Sequence, residues 1–325
     1  MTTDVIHDID DKLVGAPGLY QTPESRPTLA EAQAWCKRLA NTHYENFHVA
    51  TLFLPAALRP HFHSIYAFCR ASDDLGDEIA DTATATRLLA QWRAMLHQCF
   101  DHPAASKHPV FVALQPTIAA CQLPREPFDD LISAFEQDQV VTHHPSIASL
   151  ERYSRYSANP VGRMVLLVAG YRSPECFALS DDICTALQLA NFYQDVVEDD
   201  SRDRRYLPAD IMAKFGVTDA QIHDRRCDEN FRFMMKFLVD DAHARLARGE
   251  HIVQLVDRDM TATLSLFVQG GHAILNTIAA QNYDTLCSRP VVTKATKIRL
   301  LLDALAGKIA ALVLPHKRST KKVRP

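Results

Sequence analysis

Residues 66–78 read YAFCRASDDLGDE, and this alternation of apolar and polar residues predicts a helix with one acidic face. Residues three, four, seven and eleven positions apart share a face of an α-helix. Tyr66, Arg70, Asp73 and Asp77 form such a stripe, while most other positions nearby are apolar. We therefore expect the stripe to face the interior of the protein, although Asp side chains one turn apart repel each other.

Residues 188–200, QLANFYQDVVEDD, repeat this pattern. Gln188, Asn191, Asp195 and Asp199 share one face of a second apolar helix, which we expect Ser180 to cap. Buried carboxylates need partners. Two acidic rows in apolar helices therefore predict a source of positive charge beside each of them.

Divalent cations are one such source. Mg²⁺ takes one or two carboxylates, keeps several waters and completes its shell with phosphate oxygens. The two rows thus predict a site for a metal-bound diphosphate. The alternative is that each acidic stretch is a helix end exposed to solvent. This alternative explains a single acidic stretch better than it explains two stretches with the same spacing.

An arginine cluster follows the second row at Arg202, Arg204 and Arg205. Arginine suits phosphate oxygens because its guanidinium donates two parallel hydrogen bonds. The cluster is therefore predicted to hold a diphosphate leaving group. For each single arginine, a favourable cation at a helix C-terminus is an equally good explanation.

Composition excludes several classes of function. The chain has 325 residues, 47% hydrophobic and 23% charged, which is enough for a large core. It has only 10 glycines and no glycine-rich nucleotide-binding motif, and its net charge of −4 gives no reason to expect a nucleic-acid partner. The eight cysteines lack metal-binding spacing, which favours reduced thiols in a cytoplasmic protein.

Helical spacing dominates the chain, and no pair of strands with alternating polarity stands out, so we predict an all-α fold. We expect a flexible leader over 1–27, one large helical domain over 28–313 and a basic tail over 314–325. Polar residues interrupt the apolar stretch 260–283, which favours a buried helix over a membrane span.

The two acidic stretches resemble the two signatures of the trans head-to-head prenyl synthases, which are the squalene, phytoene and dehydrosqualene synthases. The likeness runs from about residue 28 to residue 312, and the family's usual Gly between the arginines is Asp203 here. The resemblance implies the all-α isoprenoid synthase fold, with a central cavity lined by two facing Asp-rich helices. It also implies an enzyme that acts on a prenyl diphosphate with Mg²⁺, or Mn²⁺ in its place.

The resemblance further implies three overlapping groups of site residues. The metal ligands are Asp73, Asp77, Asn191, Asp195 and Asp199. The residues that bind substrate are Asn46, Phe47, Arg70, Gln188, Gln194, Arg202 and Arg205. The catalytic residues are the four aspartates of the metal site together with Tyr66, Asn159 and Tyr206.

A finer likeness points to the bacterial hopanoid-pathway branch of the family. It is carried by Glu45-Asn-Phe and by SANPVGR over 157–163. One enzyme of that branch makes presqualene diphosphate and another converts it to hydroxysqualene, and the Asn159-Pro160 pair resembles the second. Asn159 is then expected to hold the water that supplies the hydroxyl. The alternative explanation for this pair is that it only separates two helices.

Three other functions stay open on sequence grounds. One is a transferase that condenses two farnesyl or geranylgeranyl diphosphates head to head. Another is a reductive squalene synthase, which is less favoured because no dinucleotide-binding motif is found. The third is a non-catalytic helical scaffold. No nucleotide cofactor is expected. The expected partners are the prenyl diphosphate, neighbouring enzymes of the squalene pathway and, through the basic tail, the inner membrane surface.

Overall fold

The computed structural model describes residues 11–43 and 54–313, which fold into helices joined by loops. Within these ranges the only β-structure is an isolated bridge between His143 and Arg205. The predicted all-α fold is therefore confirmed. Asn46, Phe47 and the basic tail 314–325 lie outside the described residues. The chain divides into two compact units, one formed mainly by residues up to Val140 and the other mainly by residues from Val141 onward.

The first unit is built around aromatic side chains on one side of its second helix. The Phe68 and Trp92 rings stack with centroids 6.0 Å apart, and the Trp92 indole nitrogen donates to Ser72 Oγ at 2.9 Å. These contacts bury the side of that helix opposite its acidic row. The helices described for this unit are α1 (Leu29–His43), α2 (Arg59–Asp77), α3 (Thr82–Asp101), α4 (Pro109–Cys121) and α5 (Glu126–Gln137).

Residues 11–27 pack onto this unit, whereas the sequence places them in a flexible leader. Leu13 and Tyr20 are almost fully buried. The buried His108 ring makes a 3.2 Å hydrogen bond to the Tyr20 carbonyl oxygen. Burial of these apolar groups holds the segment in place, although its Gly and Pro residues gave no periodic signal for packing.

The second unit surrounds one long helix, α8 (Pro174–Gln194), which packs against four others. Those four are α6 (Ile147–Ser157), α7 (Asn159–Val168), α12 (Glu229–Gly249) and α13 (Arg258–Ala280). The shorter helices α9 (Val196–Asp200), α10 (Ala209–Phe215) and α11 (Asp219–His223) lie between α8 and α12 in sequence, and α14 (Lys294–Val313) follows α13.

The start of α8 differs from the predicted start at Ser180. Ser173 caps the helix, and its side chain accepts a hydrogen bond from the Cys176 backbone nitrogen at 3.1 Å. Pro174 is the first helical residue, a position where its fixed φ suits the helix and its missing N–H has no consequence. Ser180 instead lies buried inside the helix.

Two glycines allow close approach to α8. A Cβ at Gly162 would lie 2.4 Å from Ser180 Oγ and 2.5 Å from Cys184 Sγ. A Cβ at Gly249 would lie 2.5 Å from the Ile183 side chain. Gly162 therefore sets the distance between α7 and α8, and with it the position of the start of α7.

None of the helices within 11–43 and 54–313 combines the length and apolar character needed to cross a membrane. The stretch 260–283, predicted as a buried helix, corresponds closely to α13. Its buried residues include Met260, Leu264, Val268 and Leu275.

Gly162→Ala should lower the free energy of unfolding by about 1–3 kcal/mol, because the new methyl group has no space against α8. Gly270→Ala on α13 is the matched control, since nothing lies within 4 Å of the position that its new methyl group would take. It should stabilise the protein by about 0.5–1 kcal/mol through the lower entropy of its unfolded chain. Urea denaturation followed by circular dichroism measures both, and equal effects would contradict the packing described for α7 and α8.

Candidate active site

The first acidic row lies on α2. Tyr66 and Asp73 are half-buried and Asp77 is exposed. Burial, followed by repulsion from Asp77, raises the pKa of Asp73 to about 7. The Asp73 side chain keeps 40% of its surface open to solvent, so a cation can reach its carboxylate from outside.

Asp74 has a different environment from Asp73. Its side chain is buried, accepts a hydrogen bond from the Tyr20 hydroxyl and pairs with Arg70. Arg70 also lies 3.4 Å from Asp73. Arg70 therefore lies between the buried Asp74 and the half-buried Asp73, and its predicted contact with substrate would have to share the guanidinium with these two acids.

The second acidic row bends where the sequence predicts a continuous helix. Helix α8 ends at Gln194, and Asp195 has a non-helical backbone (φ −104°, ψ 21°) before α9 begins. The Asp195 nitrogen still donates to the Asn191 carbonyl and the Asp199 nitrogen to the Asp195 carbonyl, each at 2.9 Å. Asp195 and Asp199 thus remain one turn apart despite the break.

In the second row, Asp199 has a pKa above the ordinary value of an aspartate. Burial, followed by repulsion from Asp195, raises its pKa to about 7, while Arg204 and Arg202 act in the opposite direction. Asn191 is exposed and Gln188 half-buried on the preceding turns. The second row therefore repeats the electrostatics of the first, in which burial and a like charge one turn away raise the pKa of one aspartate.

The loop between α13 and α14 is attached to this row by two side chains. Arg289 donates to both carboxylate oxygens of Asp195, at 2.5 and 3.1 Å. The buried Gln194 donates from its side-chain nitrogen to the Pro290 carbonyl at 2.5 Å. The Gln194 side-chain nitrogen thus holds the backbone next to the arginine that pairs with Asp195, and the predicted contact of Gln194 with substrate stays a prediction.

The arginine cluster after α9 divides into exposed and buried members. Arg202 is exposed and Arg204 half-buried. Arg205 is buried and pairs with Asp200 at 2.5 Å and with Asp219. This geometry favours a structural role for Arg205 in place of the predicted contact with diphosphate.

Asp203, the residue in place of the family's usual Gly, has a left-handed backbone with φ of +56°. Glycine adopts this conformation freely and Asp tolerates it better than most residues. The substitution therefore preserves a turn that glycine would favour.

Asn159 lies at the start of α7 and is buried. Its side-chain oxygen accepts a hydrogen bond from Thr185 Oγ1 on α8 at 3.0 Å, one turn before Gln188. Among the described residues no partner is found for the Asn159 side-chain nitrogen or for the buried Ser157 hydroxyl nearby in the chain. Buried polar groups of this kind normally bind water or ligand.

Tyr206 belongs to an aromatic cluster in the same unit. Its ring stacks on Phe192, with centroids 3.8 Å apart and planes 5° apart, and it also lies near Tyr153 and His144. Burial lowers the pKa of His144, so its ring is neutral near pH 7. The cluster is therefore an uncharged aromatic surface, in which Tyr206 is held by packing.

Within the described residues no three His, Cys, Asp or Glu side chains are arranged as a ready-made metal site. Magnesium sites that include substrate phosphate commonly use only one or two protein carboxylates. Pairs of acids that repel each other, as in both rows, fit such an ion because a divalent cation removes the repulsion. The donor sets at Asp73 and Asp77 and at Asp195 and Asp199 therefore suit Mg²⁺, which stays a prediction.

Sequence reasoning missed four residues that contact the acidic rows or the predicted site residues near them. Thr185 shares the face of Gln188 on α8 and could have been found by extending the stripe backward. Tyr20, Arg289 and Tyr153 approach from segments remote in sequence, and no local pattern marks them. The prediction that the two rows face each other across one cavity stays a prediction.

Comparison with known proteins places these features in context. A family model described as squalene/phytoene synthase matches residues 40–296. Phytoene synthase of Arthrospira platensis is 27% identical over 295 residues, covering 86% of this chain and 94% of that protein. The crystal structure of squalene synthase HpnC from Alicyclobacillus acidocaldarius has a TM-score of 0.75 and 42% identity, covering 79% of this chain and 96% of that one. A ligand-bound dehydrosqualene synthase with 23% identity and a TM-score of 0.79 covers 87% of this chain and 98% of that one, and it supports the fold alone.

Asp199→Asn should stabilise the metal-free protein above pH 7 and lose this advantage as the pH falls toward 4. The folded pKa of about 7 lies above the ordinary value of 3.8, so wild-type stability falls as the pH rises between them. Thermal melts in a chelator across this range measure the difference. Asp224→Asn, at an exposed acid outside both rows, is the control. A stability gain for Asp199→Asn that is equal at both ends of the range would contradict the raised pKa.

Proposed function

The chain belongs to the squalene/phytoene synthase family, and from this premise we propose that it converts presqualene diphosphate and water to hydroxysqualene and diphosphate. Members of the family are enzymes that act on prenyl diphosphates. The observation that carries the finer proposal is Asn159, a buried amide anchored to Thr185 with its nitrogen available to a ligand. Capture of the cation by water in the last step requires one such polar group in otherwise apolar surroundings.

In the proposed reaction, the carbon–oxygen bond to diphosphate breaks and the electron pair leaves with the diphosphate. Mg²⁺ held by Asp73 and Asp77 in the first row, and by Asn191, Asp195 and Asp199 in the second, would stabilise the departing negative charge. Arg202 and Arg204 lie beside Asp199 and offer guanidinium donors for phosphate oxygens. Arg289 balances the charge of Asp195 and is a third cation at this row.

The cyclopropylcarbinyl cation left behind must rearrange before water reaches it. Phe192 and Tyr206 present stacked aromatic rings, whose faces attract positive charge. The neutral state of His144 beside them avoids a repulsive charge. These residues would protect the rearranging cation in the second unit without supplying a nucleophile.

Capture by water completes the proposed reaction. The water oxygen bonds to the cationic carbon and one proton is released, so that atoms and charge balance. The Asn159 side-chain nitrogen can donate to the water oxygen, and the buried Ser157 hydroxyl is a second polar group in the same stretch. The hydrogen bond from Thr185 orients the amide, and Gly162 holds α7 at the distance that this bond requires.

A second candidate is a transferase that condenses two farnesyl or geranylgeranyl diphosphates head to head. The names of the relatives favour it, since those at about 27% identity are phytoene synthases. The acidic rows would serve either reaction. Only the fate of the cation, and thus the identity of the product, separates the two functions.

Replacing Asp73, Asp77, Asp195 or Asp199 with Ala should each reduce turnover by about a hundredfold or more, because stabilisation of the leaving group is lost. Turnover should also require Mg²⁺ or Mn²⁺. Release of diphosphate from presqualene diphosphate measures both effects. Asp240→Ala, an exposed acid paired with Lys236, is the control. Folded variants of the four aspartates that stay within about tenfold of wild type would exclude the metal sites.

With presqualene diphosphate, Mg²⁺ and no NADPH, the extracted product should be hydroxysqualene that carries ¹⁸O from labelled water. Asn159→Ala should increase the ratio of elimination products to alcohol, since water capture slows more than ionisation. Asn230→Ala, at an exposed position, is the control. A hydrocarbon product or an unlabelled alcohol would exclude the proposed reaction. An unchanged product ratio would remove Asn159 alone from the mechanism.

A further inference from the structure

Helix α14 carries an exposed row of large apolar side chains. Ile298, Leu302 and Leu305 are 57%, 59% and 47% exposed, and Val291 just before the helix is 61% exposed. Positions 298, 302 and 305 are four and three residues apart, so they share one face. Soluble proteins rarely expose such a row without a partner that covers it.

A neighbouring side of α14 is packed against its own unit. Ala304 is buried together with Ala262 of α13, and Leu301 and Leu266 pack against them. The helix is therefore held by the side that carries Leu301 and Ala304, and the exposed apolar row lies next to that side, centred roughly 100° around the helix from it. Rearrangement onto the core is not available to this row without the loss of these contacts.

Cations border the exposed row on both sides. Lys297 and Arg299 are each one residue from Ile298, about 100° around the helix in opposite directions. Lys294 lies one turn before Ile298 and is exposed. Long basic side chains in this position can lay their methylene groups along an apolar layer and keep their charges in the polar region above it.

The charge distribution in the sequence also favours an anionic partner for α14. Residues 290–325 contain nine Lys or Arg and a single acid, Asp303, although the whole chain has a net charge of −4. The basic residues continue past α14 to the end of the chain. An apolar helix face with basic borders is typical of helices that lie in the interface of an anionic bilayer.

We propose that α14 is a membrane-docking helix, with Ile298, Leu302 and Leu305 inserted among the acyl chains of an anionic lipid surface. A second copy of the chain fits this face less well. In a symmetric dimer the same patch meets itself, so the basic borders would approach each other. The proposal assigns docking to a helix of the fold rather than to the basic tail alone, and it is independent of which prenyl diphosphate reacts.

Sedimentation of the full-length protein with vesicles tests the proposal. Vesicles of phosphatidylcholine with phosphatidylglycerol should bind the wild type, and phosphatidylcholine alone should bind it at least about tenfold more weakly. The triple variant Ile298→Ser/Leu302→Ser/Leu305→Ser should bind the anionic vesicles at least about tenfold more weakly than wild type. The matched control Val140→Ser/Phe233→Ser alters exposed apolar residues elsewhere and should bind as wild type does.

A second variant, Lys294→Gln/Arg299→Gln, separates charge from apolar insertion and leaves the apolar row intact. It should bind anionic vesicles less tightly and with a weaker dependence on salt. Circular dichroism confirms that each variant is folded. Wild-type vesicle binding by the folded triple variant would overturn the proposal. The proposal would also be overturned if the wild type forms a dimer and does not bind vesicles, while the triple variant is a monomer. A second copy of the chain would then be the partner that covers this face.

Discussion

Repulsion between carboxylates one helical turn apart is the constraint on which both acidic rows depend. Asp73 and Asp199 are each partly buried with a second acid one turn away, and both effects raise the pKa of these two carboxyl groups. The chain compensates only in part, through Arg70 in one unit and Arg289 in the other. We propose that a divalent cation removes the repulsion that remains, and such a cation would also assist the departure of a diphosphate.

The polar group at Asn159 depends on a packing constraint of a different kind. Only a glycine at 162 lets α7 approach α8 closely enough for the Thr185 hydroxyl to reach the amide. The same α8 then ends at the second acidic row. Helix α8 thus contacts the buried amide through Thr185, carries the aromatic ring of Phe192 and ends beside Asp195, so these three parts of the proposed site are positioned by one helix.

Sequence reasoning found the helices and both acidic rows because helical spacing and apolar periodicity are local properties. It placed the start of α8 at Ser180 because Asp181 and Asp182 also suit a first turn, whereas Ser173 and Pro174 provide the actual start. It could not find the ion pair between Arg289 and Asp195 or the hydrogen bond from Tyr20 to Asp74, since each joins segments far apart in sequence. It also could not separate the buried Arg205 from its exposed neighbour Arg202, because only tertiary packing distinguishes them.

Anomalous diffraction from crystals soaked with Mn²⁺ and inorganic diphosphate tests most directly whether the acidic rows are cation sites. The account predicts manganese peaks within coordination distance of Asp73 and Asp77 and of Asp195 and Asp199, with diphosphate oxygens completing the shells. It also predicts that Arg289 releases Asp195 once a cation takes over that carboxylate. Diphosphate bound with no manganese at either row, or manganese bound only at other acids, would contradict it.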